Sequence, residues 1–304
     1  MISIVSPVYK AEHIVEKLVS EIQKSLLDIG LPFEIILVDD RSPDGSWAKM
    51  QMLSAKYPEV KSIRLSRNFG QHPAIMAGLS KASGEWIVVM DCDLQDQPKE
   101  IKKLYQKTFE GFDVVLARRI DRQDGFFKKL SSKVFSLIFN YFSDIEVNNE
   151  VANFGIYHKR VIQAVLNMGD SIKFFPLFVY FVGFNTTAIP IEHAERDYGK
   201  SSYSLSKLMA LAFNAIVSYS SKPLRLFMQF GLFVSFFSFL IGLYQLVLYL
   251  FGSISVSGYT SIILAICFFS GIIITVVGMV GMYVGKVFEQ TKNRPVFIVD
   301  QIIN

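Results

Sequence analysis

The chain has 304 residues, of which 51% are hydrophobic and only 19% charged, with a mean hydropathy of +0.34. These values exceed those of an ordinary soluble domain, so a membrane part is expected. The net charge of +4 is too mild to point to nucleic acid and suits a protein lying on an anionic bilayer. Cys92 and Cys267 stand far apart and supply neither a disulfide framework nor a zinc site. The first ten residues lack the basic start and apolar run of a signal peptide, so none is expected.

In chain order, residues 2–6 read as a buried strand and residues 11–29 as a helix with Ile14, Leu18, Ile22 and Leu26 on one face. A second apolar run, 34–38, is closed by Asp39 and Asp40, and a third spans 60–65. Residues 74–81 read as a helix, and the run 85–90 is closed by Asp91. Residues 99–108 are again helical and 113–117 a strand. Strands alternating with helices predict a mostly parallel sheet in an α/β domain. Polar residues cluster just after the strands' carboxyl ends, where open α/β sheets bind ligands.

Residues 125–143 mix Phe126, Phe127, Leu130, Val134 and Phe135 with Lys128, Lys129 and Lys133. That pattern predicts a basic amphipathic helix for the membrane interface; a helix packed on the sheet is the alternative. A second such stretch, 203–219, leads into the most apolar part of the chain. From Leu226 to Gly285 there is no Asp, Glu, Lys, Arg or His. A span needs about 20 apolar residues, so two are expected, at about 226–251 and 259–284. Lys222 and Arg225 flank one end, Lys286, Lys292 and Arg294 the other. The positive-inside rule puts both ends in the cytoplasm. The tail holds an apolar stretch, 296–299, expected to form a short strand.

The candidate chemistry lies in acidic pairs. Asp91 and Asp93 follow a strand, and carboxylates two apart there can share one hard cation, Mg²⁺ or Mn²⁺, with substrate phosphates. Gln95 could add an amide oxygen. A plain turn before the next helix is the competing reading. Asp39 and Asp40, followed by Arg41, Ser42, Pro43, Asp44 and Gly45, also read as a capped turn. Two acidic pairs at two strand ends of one sheet favour a site: one pair holds metal while the other accepts hydrogen bonds from a base or ribose.

With Pro7-Val8-Tyr9, Arg67-Asn68-Phe69-Gly70, Ala77-Gly78, Gly84 and Leu94-Gln95-Asp96, these residues resemble inverting family 2 glycosyltransferases. The longer acidic motif and the C-terminal hairpin are similar to the polyprenyl-phosphate branch, which includes dolichyl-phosphate mannose synthases and bactoprenol glucosyltransferases. The resemblance covers essentially the whole chain and is most specific from Pro7 to Arg118. It implies a GT-A, Rossmann-like catalytic domain (1–200) with amphipathic interfacial helices. A juxtamembrane helix (201–222), a two-helix transmembrane hairpin (223–288) and a cytoplasmic tail (289–304) follow. It also implies transfer of a sugar from a nucleotide-sugar to a polyprenyl phosphate at the cytoplasmic face of a membrane, the inner one in a bacterium.

Residue by residue, the resemblance implies that Pro7, Tyr9, Asp39 and Asp40 line the nucleotide pocket. Asp91, Asp93 and Gln95 surround the metal and diphosphate, with Asp93 among the catalytic groups. Arg118, Lys128 and Ser132 serve the acceptor phosphate, and Arg196 and Ser201 belong to a loop closing over the donor. The sequence departs from the family pattern at Lys10, Ser202 and Asn153, which stand where Asn, Lys and a catalytic Asp are usual. A processive polysaccharide synthase usually shows Q-x-x-R-W and more membrane helices; neither is present. A non-catalytic scaffold would not need the Asp91/Asp93 pair, and a channel would need polar groups in its spans. Self-association is expected from the tail strand, whose edge needs a partner.

Overall fold

The computed structural model describes residues 1–119, 151–169, 175–191, 222–251, 258–292 and 294–304. Four strands form its centre: β1 (Ile2–Val8), β2 (Phe33–Asp39), β3 (Val60–Leu65) and β4 (Trp86–Val89). All are mutually parallel, with β1 between β2 and β4 and β3 outside β2. Every residue of β1 is buried, as expected for a parallel strand covered on both faces.

The covering helices follow from their spacing. In α1 (Val15–Leu27), Val15, Leu18, Val19, Ile22 and Leu26 are buried, a stripe with the helical period. These residues cluster with Ile2, Ile4 and Val8 of β1. Another helix, α3 (Gln71–Leu79), is buried from Ala74 to Leu79. It packs so close to β1 that a Cβ on Gly78 would stand 2.4 Å from Val5 Cγ1. Any larger residue there would have to displace a stiff β-branched side chain. Helices α2 (Ser46–Lys56) and α4 (Ile101–Thr108) complete the first part of the domain.

The sheet then turns mixed. β5 (Val114–Arg119) and β6 (Val151–His158) are antiparallel to each other, and β6 is antiparallel to β4. After α5 (Lys159–Leu166) and α6 (Phe175–Phe181), β7 (Thr186–Ile191) pairs parallel with β5. The last strand, β8 (Val299–Ile303), pairs antiparallel with β3. The eight strands run β7-β5-β6-β4-β1-β2-β3-β8.

The tail strand differs from expectation in its start and in its partner. It begins at Val299 rather than 296, because its register is set by β3, with Ser62 opposite Ile303 and Arg64 opposite Gln301. One of its edges is met within the chain, by the open edge of β3, whose backbone groups it satisfies.

Two long helices, α7 (Lys222–Leu250) and α8 (Tyr259–Thr291), have 29 and 33 residues. Within α8, Phe268–Thr291 is long and apolar enough to cross a membrane. Phe233, Phe236, Ile273, Ile274, Val284 and Phe288 are all exposed. Two compact units result: one holds the sheet, with 294–304 included, and the other is built on α7 and α8.

Candidate functional site

Because β1 to β4 are parallel neighbours, their carboxyl ends converge on one edge of the sheet. That edge presents Pro7 and Tyr9 at the end of β1, Asp39 and Asp40 at the end of β2, 66–70 after β3, and Asp91 and Asp93 after β4. Three non-glycine residues there have left-handed backbones: Lys10 (φ 55°), Arg41 (φ 56°) and Leu94 (φ 57°). Each such conformation costs an L-residue roughly 1–2 kcal/mol, so the strain collects where the loops turn back over the edge.

Asp39 is fully enclosed. Its Oδ1 accepts from the Ser42 amide at 2.9 Å, and Arg64 Nε lies 3.3 Å from Oδ2. The Arg64 guanidinium in turn lies 5.3 Å from the centre of the Trp47 ring. Asp39 therefore shapes the turn that carries Asp40.

Asp40 is 3% exposed and joins two loops. Its Oδ1 accepts from the Phe69 amide at 2.7 Å and its Oδ2 from the Gly70 amide at 2.8 Å. Burial pushes its carboxyl above the ordinary carboxylate range, and the two amides pull the other way without cancelling it. Gly70, with φ 99°, occupies a region open chiefly to glycine, which lets consecutive amides face one carboxylate. Tyr9 is 45% exposed, so its ring is available to a planar ligand, whereas Pro7 is buried within β1.

Asp91 Oδ1 accepts from Gln71 Nε2 at 2.6 Å, a contact joining the start of α3 to the end of β4. Asp93 Oδ1 accepts from the Gln95 amide at 3.2 Å, closing an Asx turn over the left-handed Leu94. Between them, the Cys92 thiol has its pKa pushed up to about 12, by burial first and then by Asp91, which keeps it protonated and unreactive. No cluster of three metal-ligating side chains occurs among the described residues. The pair instead fits a divalent ion that takes its remaining ligands from substrate phosphates and water, as Mg²⁺ does.

Arg118 lies near the end of β5, exposed, just past a register shift between Leu116 and Arg118. Such irregularities re-aim side chains. Asn153 lies near the start of β6, in the irregular stretch between Gly155, which pairs with Leu116, and Val151, which pairs with Arg118. Lys128, Ser132, Arg196, Ser201 and both amphipathic stretches lie outside the described residues.

Sequence reasoning missed Gln71, Arg64 and Arg41. Gln71 directly follows Arg67-Asn68-Phe69-Gly70, but its partner is 20 residues on, and only the strand order brings the two together. Arg41 Nη1 lies 2.7 Å from Asp300 Oδ2, which no local pattern could reveal.

The model of the family described as "Glycosyl transferase family 2" matches residues 3–166. The undecaprenyl-phosphate 4-deoxy-4-formamido-L-arabinose transferase of Proteus mirabilis is 34% identical, over 99% of this chain and 94% of the relative. The uncharacterized glycosyltransferase YkcC of Bacillus subtilis is 33% identical, over 98% and 93%. Among solved structures, glucosyl-3-phosphoglycerate synthase from Mycobacterium tuberculosis, bound to Mn²⁺, UDP-glucose and phosphoglyceric acid, superposes with a TM-score of 0.52 at 17% identity. That match covers 71% of this chain and 77% of the other, a likeness of fold.

Proposed function

Since the chain belongs to glycosyl transferase family 2, we propose that it moves a sugar from a nucleotide-sugar to a polyprenyl phosphate at the cytoplasmic face of a membrane. One observation carries this reading. The Asp91/Asp93 pair and the Asp40-tied loops share one edge of the sheet in a chain whose full-length relatives include named undecaprenyl-phosphate transferases.

In this reading Tyr9 and the Asp40 turn hold the base. Asp91 and Asp93, with Gln95 beside them, would hold Mg²⁺ or Mn²⁺, which when bound supplies positive charge to the departing diphosphate. Gln71 orients the Asp91 carboxylate, as outer-shell partners do for metal ligands. Arg118, with Lys128 and Ser132 from the interfacial stretch, positions the acceptor phosphate. Arg196 and Ser201 close over the donor.

A phosphate monoester has a second pKa near about 6 and is largely a dianion at neutral pH, so its oxygen needs placing rather than deprotonating. Asn153 at the position of a usual Asp is compatible with that acceptor. A sugar hydroxyl would need a carboxylate base there.

The return of the chain to its own sheet supports two spans. A bilayer cannot pass through one sheet, so crossings between β7 and β8 come in even number. With Phe268–Thr291 as one span, α7 supplies the other, and Lys222, Arg225, Lys286, Lys292 and Arg294 keep both ends cytoplasmic. This reading puts the protein in the inner membrane of a bacterium, with residues 1–200 as the catalytic domain. Self-association through the tail would use the outer edge of β8, beside the exposed Ile298 and Ile302; light scattering in mild detergent tests it.

The experiment is to incubate membranes containing the protein with undecaprenyl phosphate and a panel of radiolabelled nucleotide-sugars, then extract lipid. Label in a mild-acid-labile lipid from one donor is expected. Label only in polysaccharide or free sugar would overturn the lipid-phosphate acceptor.

A further inference from the structure

We propose that the C-terminal strand is part of the donor site, with Asp300 as a positioning residue acting through Arg41. The inference rests on the reading of the Asp40 end as the nucleotide pocket.

Three tail residues meet the elements that build that end. Ser66, where the 66–70 loop leaves β3, donates its amide to the Ile298 carbonyl at 2.9 Å. Gln301 lies opposite Arg64 on β3, and Arg64 Nε is 3.3 Å from Asp39 Oδ2. Asp300 Oδ2 lies 2.7 Å from Arg41 Nη1. Arg41 is the residue between Asp40 and Ser42, and its backbone is left-handed at φ 56°.

A non-glycine residue in that conformation is strained and is held there by its surroundings. The surroundings here are the Asp39–Ser42 hydrogen bond on one side and the Asp300 ion pair on the other. Asp40, one residue away, fixes the Phe69 and Gly70 amides. The tail therefore braces both loops: one through the Arg41 side chain, the other through the Ser66 backbone. The side chains of Arg41 and Asp300 are 42% and 39% exposed, so their pairing is worth a modest factor in affinity rather than the fold itself.

The test uses the full chain in detergent and titrates UDP, and separately GDP, with Mn²⁺ by calorimetry. Asp300→Ala should weaken the nucleotide that binds by about three-fold, and Asp300→Glu should recover most of the loss. Arg41→Ala should match Asp300→Ala, and the double variant should be no worse than either single one. Amide exchange should quicken at 40–42 and 66–70 in Asp300→Ala, which separates bracing from a general loss of stability. Wild-type affinity in Asp300→Ala, or additive losses in the double variant, would overturn the proposal.

Asp40→Ala distinguishes the two ways of failing. If it weakens nucleotide binding while Asp300→Ala does not, the bracing role alone is wrong. If neither variant alters binding, the nucleotide reading of this end falls and the bracing role with it.

Discussion

Replacing Asp40 by Asn tests how the proposed nucleotide end is built. The carboxylate accepts one amide on each oxygen, from Phe69 at 2.7 Å and Gly70 at 2.8 Å. Asparagine keeps one acceptor and puts an NH₂ donor against the other amide. Leaving one buried donor unsatisfied costs about 1–3 kcal/mol, and Asp40 is only 3% exposed, so water offers little relief. A middle value of about 2 kcal/mol corresponds to roughly a 30-fold rise in the open population of the 66–70 loop. Hydrogen exchange followed by mass spectrometry reads this as faster exchange at Phe69 and Gly70 without ligand. Donor KM should rise more than kcat falls, since contacts to the non-reacting base contribute uniform binding. Unchanged exchange at both amides would refute the reasoning, and a fall in kcat alone would move Asp40 to the chemistry.

Asp93→Ala should abolish transfer with the thermal transition preserved, and EDTA should inhibit the wild type until Mg²⁺ or Mn²⁺ is returned; full turnover in metal-free buffer would count against the shared-cation site. Arg118→Ala should raise the KM for polyprenyl phosphate with nucleotide affinity unchanged, whereas Asn153→Ala should retain substantial turnover; the opposite pattern would point to an alcohol acceptor. Glu34 concerns stability and pH: burial raises its carboxyl, but Lys61, the Ser3 and Ser83 hydroxyls and the Ser83 amide outweigh this and hold it at about 2 rather than 4.5. A depressed acid stabilises the fold above its unfolded value, and that contribution fades as pH falls toward the folded one, here on the order of 2–3 kcal/mol after allowing for solvent screening of the Lys61 pair. The stability gap between wild type and Glu34→Gln, measured by denaturant titration, should close as pH falls from about 4.5 to about 2; a gap independent of pH would exclude this origin.

The central strands were legible because each is a short apolar run ended by a polar turn, as at Asp39 and Asp91. β6 and β7 were not, since Asn153 and Gly155 interrupt one and Pro190 the other, and both take their pairing from strands distant in sequence. The acidic pairs stood out in the sequence, but their partners did not. Asp40 meets Phe69 across 29 residues, and Arg41 meets Asp300 across 259. Contacts of that kind depend on strand order, which local periodicity does not encode.

The position of β8 also bears on how the protein is made. It follows both long helices in the chain, so the ribosome releases it only after α7 and α8 have been synthesised. Until then β3 is an open edge, and Arg41 lacks its ion-pair partner Asp300. A chain stalled or cleaved before Val299 would keep that edge exposed, a template for pairing with other chains. Completion of the sheet thus comes after both long helices have been made; on the proposed reading, a nascent molecule completes its donor site only once those helices have had time to enter the bilayer.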